Sequence, residues 1–159
     1  IQVSSAIEID FDAIDDAEER ARVLQIYRGF DEPRYLHQTS IRTGREPHFD
    51  VESFEDLPLA LSNHAERSVP TGLWRTHFHV PIFTGGLEGW SSTRPEIERC
   101  LAAWPANELL PTLDVETYAW EVLPSCMYAA GDGGLASGIA EELRWLRGLL
   151  ATLRAPEDP

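Results

Sequence analysis

Apolar and polar positions along the chain change period several times, and each change marks an element. Ile1-Gln2-Val3-Ser4-Ser5-Ala6-Ile7-Glu8-Ile9 reads as a buried strand. An acidic stretch, Asp10 to Glu19, leads into a helix over roughly 15–28, with Ala21, Val23, Leu24 and Tyr27 at helical spacing and Gly29 as its stop. Asp31-Glu32-Pro33 turns the chain into a second apolar run, Tyr35 to Ile41, and Thr43-Gly44-Arg45-Glu46-Pro47 reads as a turn. Ser53 and Asp56 stand near the start of a short helix through Leu57, Leu59, Ala60 and Leu61. A third strand, Trp74-Arg75-Thr76-His77-Phe78-His79-Val80-Pro81, exits at a residue without an N–H. After the glycine-rich stretch 84–90, Thr93 and Glu96 match a capping box opening a helix that carries Ile97, Cys100 and Leu101 inward and ends near Trp104-Pro105. A fourth strand over 112–120, a loop at Gly131-Asp132-Gly133-Gly134 and a last helix over about 136–153 complete the order. That helix places Ile139, Leu143, Leu146 and Leu150 on one stripe, with Glu141, Glu142, Arg144 and Arg147 off it.

Strands alternating with helices imply parallel β-α units, hence an α/β fold. The expected architecture is a partial (β/α)8 TIM barrel, its C-terminal portion, spanning 1–159 as one piece. A complete barrel takes about 250 residues, and this chain has 159. The chain opens without Met, already inside a core strand, which implies an upstream segment of the natural protein. An incomplete barrel leaves two parallel edges open, so the missing N-terminal half or a second copy, as a homodimer, is expected to cover them.

Charge narrows the partners. With 27 Asp+Glu against 13 Lys+Arg the formal charge is -14, which argues against nucleic acid or an anionic membrane surface. No apolar run reaches the length of a membrane span, and no signal peptide is visible, so a cytoplasmic protein without membrane insertion is expected. Every basic residue is Arg, which removes Schiff-base lysine and P-loop chemistry. Cys100 and Cys126 form neither a disulfide framework nor a CxxC knuckle, and Cys100 reads as packing.

The remaining candidates are polar residues inside apolar strands. His77 and His79 alternate with Phe78, so both imidazoles project from one strand face, the spacing that zinc or manganese sites use. The competing reading is one hydrogen-bonded core histidine and one exposed one. Glu116 stands among Leu113, Val115 and Tyr118, where a carboxylate is costly unless it is paired or binds a metal. It reads equally as an exposed edge residue or an arginine's partner. His37 lies in Tyr35-Leu36-His37-Gln38-Thr39, with ligand and structural roles evenly balanced. Gln2 and Ser4 share a face of the first strand and suit either polyol hydroxyls or barrel filling. His48 and His64 fall in polar stretches and read as solvated, and Arg75 reads as a structural ion-pair residue.

Val3-Ser4-Ser5-Ala6, Arg34-Tyr35-Leu36-His37-Gln38-Thr39, His77-Phe78-His79-Val80-Pro81 and the run from Asp114 to Pro124 occur in this order. Together they resemble the C-terminal part of the metabolite traffic protein EboE family, over about 1–150. The resemblance implies membership of the xylose isomerase-like TIM barrels and a site of the sugar isomerase or epimerase type. By that likeness a divalent metal (Mn, Zn or Mg) in the full-length protein is held by His79 and Glu116. Glu116 or its missing partner serves as acid/base, and His37, His77 and Gln2 face a small sugar-like metabolite. The other ligands of such a site would precede Ile1, so this segment alone is expected to hold an incomplete set and to bind no metal by itself. The alternative implied is a non-catalytic metabolite-binding or transport-accessory barrel.

Overall fold

The computed structural model describes residues 1–65, 70–87, 89–105, 107–117, 120, 123 and 134–154. In chain order the elements are β1 (Gln2–Val3), β2 (Ser5–Asp10), α1 (Ala17–Tyr27), β3 (Thr39–Arg45), β4 (His48–Phe54), α2 (Leu57–Ala65) and β5 (Leu73–Val80). They continue with β6 (Gly86–Leu87), β7 (Trp90–Ser92), α3 (Arg94–Ala102), β8 (Asp114–Val115) and α4 (Gly134–Leu153). The chain divides into two compact units, one of Ala6–Phe78 and Gly86–Ser91, the other of Ile1–Ser5, His79–Gly85 and Ser92–Pro159.

This is not a TIM barrel. The main sheet has six strands in the order β4-β3-β5-β2-β7-β6, and β3 pairs antiparallel with both β4 and β5. The pair β6–β7 is antiparallel as well. Phe11 N–H donates to Gly72 O at the end of β2 and the start of β5, so these two strands also run in opposite directions. A parallel pairing is found in the short β1–β8 ribbon, with Gln2 opposite Asp114 and Val3 opposite Val115. The expected parallel β-α repeat fails at a hairpin. Arg45 pairs with His48 across Glu46-Pro47, so the turn is followed by a strand, not by a helix. Gly44, at φ 88, suits this tight return: a Cβ there would lie 2.5 Å from His48 O.

In the larger unit, α1 starts at Asp16, whose carboxylate accepts from Glu19 N–H at 2.9 Å, with Glu18 and Glu19 favourably placed in the first turn. The helix buries Val23 and Tyr27, one turn apart. Alternation along β5 puts Trp74, Thr76 and Phe78 inward. Aromatic edges meet faces throughout this core. Trp74 lies 5.4 Å from Phe11 and 5.8 Å from Tyr27, and Phe30 lies 5.1 Å from Phe78. Its buried hydroxyls satisfy one another: Tyr27 bonds Thr76, which lies 2.7 Å from Thr39 Oγ1, and Thr39 donates to His37 O. Burial pushes the Tyr27 phenol well above its ordinary range.

The other unit packs Val3, Ile82 and Leu146 against Ile97, Leu101, Leu113, Val115, Trp145 and Leu150. Its helix α4 turns a different face inward from the expected stripe. Leu146 is buried and Leu150 half-buried, but Ile139 and Leu143 are exposed, and Glu142 is buried in their place. The capping box also fails to form: Thr93 makes no side-chain cap, and Glu96 N–H donates to the Thr93 carbonyl at 2.9 Å. Of the fourth predicted strand only Asp114–Val115 is a strand. Tyr118 and Ala119, and the loop at 131–133, lie outside the described residues.

Candidate functional site

Two of the residues singled out from the sequence come together. His79 occupies the penultimate position of β5, just before the chain leaves the strand at Pro81. Glu116 follows β8, where its N–H donates to Val3 O at 3.0 Å and so continues the parallel ribbon by one residue. This backbone bond fixes the carboxylate's origin. The His79 Nδ1 and Glu116 Oε2 atoms stand 3.9 Å apart, with the imidazole 5% and the carboxylate 35% exposed. The pair therefore sets a desolvated ring beside a carboxylate open to incoming ligands, at a separation longer than a direct hydrogen bond.

Beneath this pair lies a residue that sequence reasoning set on the solvent side. Glu142 is 1% exposed. Its Oε1 accepts from the Ile82 N–H at 3.1 Å and the Thr117 hydroxyl at 2.5 Å, and its Oε2 accepts from Trp120 Nε1 at 3.2 Å. Burial raises its pKa, while the three donors act in the opposite direction. A signal for it existed. Gly138, Glu142, Leu146 and Leu150 recur every four residues, a face as continuous as the one chosen, with a glycine giving room for a large neighbour. That neighbour is Trp120, whose Cη2 would lie 2.2 Å from a Cβ at position 138.

His37 and His77 belong to the larger unit. His37 is buried, its ring stacked on Phe78 at 4.9 Å and its Nδ1 3.9 Å from Asp56 Oδ1. Asp56 also accepts from the His37 N–H and from Leu57 N–H, both at 2.9 Å, so one carboxylate starts α2 and holds the histidine. His77 is exposed, its Nδ1 3.3 Å from Gln38 Oε1, and it does not share a burial state with His79 despite sharing strand parity. The expected constellation is thus divided: His79, Glu116 and Gln2 fall in one unit, His37 and His77 in the other.

Burial holds the His37 imidazole below its usual range. His77 pushes the same way, and Asp56, Glu32 and Asp31 oppose it. A base whose native pKa lies below its unfolded value takes up a proton on unfolding. Its stabilising contribution is therefore present above the unfolded value of about 6.5 and is lost as pH falls through the native one. Urea unfolding midpoints are expected to fall between pH 7 and pH 5 more steeply in the wild type than in His37→Phe. Equal slopes in the two proteins would remove this histidine from the acid response.

Gln2 is exposed and lies against an apolar pocket of ≈ 240 Å³ whose walls include Val3, Ile97, Leu101, Trp104 and Leu113. That setting offers a polyol few polar partners. Cys100, expected to be packed inward, is exposed at the same pocket. His64, expected to be solvated, is 4% exposed, its ring 4.7 Å from Trp74. Arg75 pairs with Glu8 at 2.6 Å on the sheet surface.

A divalent ion forms bonds of about 2.0–2.2 Å to imidazole nitrogen and carboxylate oxygen, which at a tetrahedral angle puts the two donors about 3.4 Å apart. At 3.9 Å, His79 and Glu116 must close by a small side-chain rotation for one ion to bridge them. No group of three or more His, Cys, Asp or Glu residues able to hold a metal occurs among the described residues. The pair alone offers at most two positions of a coordination shell. No helix among the described residues is long and apolar enough to cross a membrane. No family model, curated protein or solved structure matches the chain.

Proposed function

We propose that this chain handles a small, polar, sugar-like metabolite in the manner of the EboE-type metabolite traffic proteins, with His79 and Glu116 as its working groups. The observation that carries the reading is the 3.9 Å approach of an almost fully desolvated imidazole to a partly open carboxylate. In such a pair a basic ring nitrogen and a carboxylate face the same small volume. Glu116 is then suited to remove or return a proton next to a carbonyl, the step of a sugar isomerase or epimerase. A divalent Mn, Zn or Mg ion held by His79 and Glu116 would supply Lewis-acid polarisation of that carbonyl, its other ligands coming from outside this pair. The charge of -14 favours such a cation and a neutral metabolite over nucleic acid. A cytoplasmic protein that pairs with a second copy accords with this reading.

Calorimetric titration with Mn2+, Zn2+ and Mg2+ tests it. In the full-length protein one site is expected, weakened at least about tenfold in His79→Ala and in Glu116→Gln. A wild type that takes up none of the three ions, or variants that bind as it does, overturns the metal-assisted reading. Binding of a metabolite by hydrogen bonds alone is then the better account.

A further inference from the structure

Glu142 contributes nothing to the chemistry proposed above, yet it is the most deeply buried carboxylate among the described residues. Burying it is unfavourable unless its oxygens are satisfied, and three donors satisfy them. The identity of two of those donors is informative. Ile82 stands three residues beyond His79, on the segment that leaves β5, and Thr117 is the residue after Glu116. Both bond the same atom, Oε1. The two chain segments that carry the imidazole and the carboxylate are therefore fastened to one oxygen on α4. The third bond, from Trp120 Nε1, satisfies the other carboxylate oxygen, Oε2.

We infer that Glu142 is the positioning residue of the His79–Glu116 pair, setting the separation of these two side chains by gripping the backbone of one segment and the hydroxyl of the other. This inference rests on the reading of His79 and Glu116 as the working pair. It predicts that cation affinity at the pair depends on a residue that touches neither ligand. Residues that orient metal ligands are worth about 10–100-fold in affinity when removed.

The test uses the full chain, with Zn2+ titration and the NMR resonances of the His79 ring as separate readouts. Glu142→Leu is expected to weaken Zn2+ binding at least about tenfold and to move the His79 ring signals as Glu116→Gln does. Glu142→Gln keeps an oxygen for the Ile82 N–H and the Thr117 hydroxyl, and is expected to stay within about threefold of the wild type, well inside that range. Thr117→Val removes a single hydroxyl without opening a cavity and is expected to lie between the two. It also serves if Glu142→Leu does not fold. Trp120→Phe removes the bond to Oε2 alone, and is expected to lower the thermal midpoint and to move the ring signals in the same direction as Glu142→Leu, by less. Wild-type Zn2+ affinity and unmoved ring signals in folded Glu142→Leu and in Thr117→Val would reduce Glu142 to a buried structural carboxylate. If the wild type binds no Zn2+ but its ring signals still respond to Glu142→Leu, the metal reading fails and the positioning role stands.

Discussion

Trp74→Ala is expected to lower the unfolding free energy by about 3–5 kcal/mol, the range for deleting a fully buried tryptophan. Trp74 has no exposed surface, and three rings converge on it: Phe11 at 5.4 Å, Tyr27 at 5.8 Å and His64 at 4.7 Å. These come from the turn after β2, from α1 and from α2, so alanine would open a cavity where three separate elements of the larger unit meet. The indole N–H also donates to Thr71 O at 2.9 Å. Trp74→Phe keeps most of the ring volume and loses chiefly this bond, worth about 0.5–1.5 kcal/mol. Typical domains have only about 5–15 kcal/mol in total, so the alanine variant should be largely unfolded at temperatures the phenylalanine variant survives. Urea unfolding followed by circular dichroism separates the two. A loss under about 1 kcal/mol for Trp74→Ala would mean that the aromatic cluster does not hold this unit together.

Two glycines of one helix should respond to alanine with opposite signs. In α4, a Cβ at Gly138 would stand 2.2 Å from Cη2 of Trp120 and 2.6 Å from two further ring carbons, whereas one at Gly148 meets nothing within 4 Å. Both positions gain up to about 1 kcal/mol of helix propensity on substitution. At 148 that gain is unopposed, and Gly148→Ala should stabilise by about 0.5–1 kcal/mol. At 138 the indole must move, which costs about 1–3 kcal/mol of overpacking and puts its bond to Glu142 at risk. Gly138→Ala should therefore destabilise by about 1–3 kcal/mol and perturb the His79 ring signals, while Gly148→Ala leaves them unchanged. Equal stabilisation of both variants would place the indole elsewhere.

Local patterns were readable where one face of an element is buried and the other is not. Val23 and Tyr27 sit one turn apart on α1 as their spacing implied, and β5 does alternate, but its buried face carries Trp74, Thr76 and Phe78, while Arg75 and His77, read as facing inward, are exposed. Pairing partners were not readable, because period alone does not name the strand across the ladder. The run Ile1–Ile9 is one apolar stretch, yet Gln2–Val3 pairs with β8 and Ser5–Asp10 joins the six-stranded sheet. The parallel reading depended on passing from Pro47 to the helix at Leu57. Phe49-Asp50-Val51-Glu52 does alternate, but both apolar side chains are exposed, so the pattern lacked the burial that usually accompanies it. For the site, His79 and Glu116 could be found because polar residues inside apolar strands are costly. Glu142 was missed because choosing the helix face through Ile139 and Leu143 sends it to solvent, while the true face runs through Gly138 and Leu146.

The hairpin that breaks the parallel repeat also decides what the sheet shows to other molecules. β4 is its outermost strand, with His48–Ser53 all exposed. An outer strand offers a row of backbone donors and acceptors to any chain that can lie alongside. Here that row is flanked by Asp50 and Glu52, both on the strand and both exposed. Two copies meeting at this border would bring like charges together, and the repulsion fades as salt screens them. Ladder extension from one molecule to the next is thus opposed by charge, a brake that salt releases without unfolding.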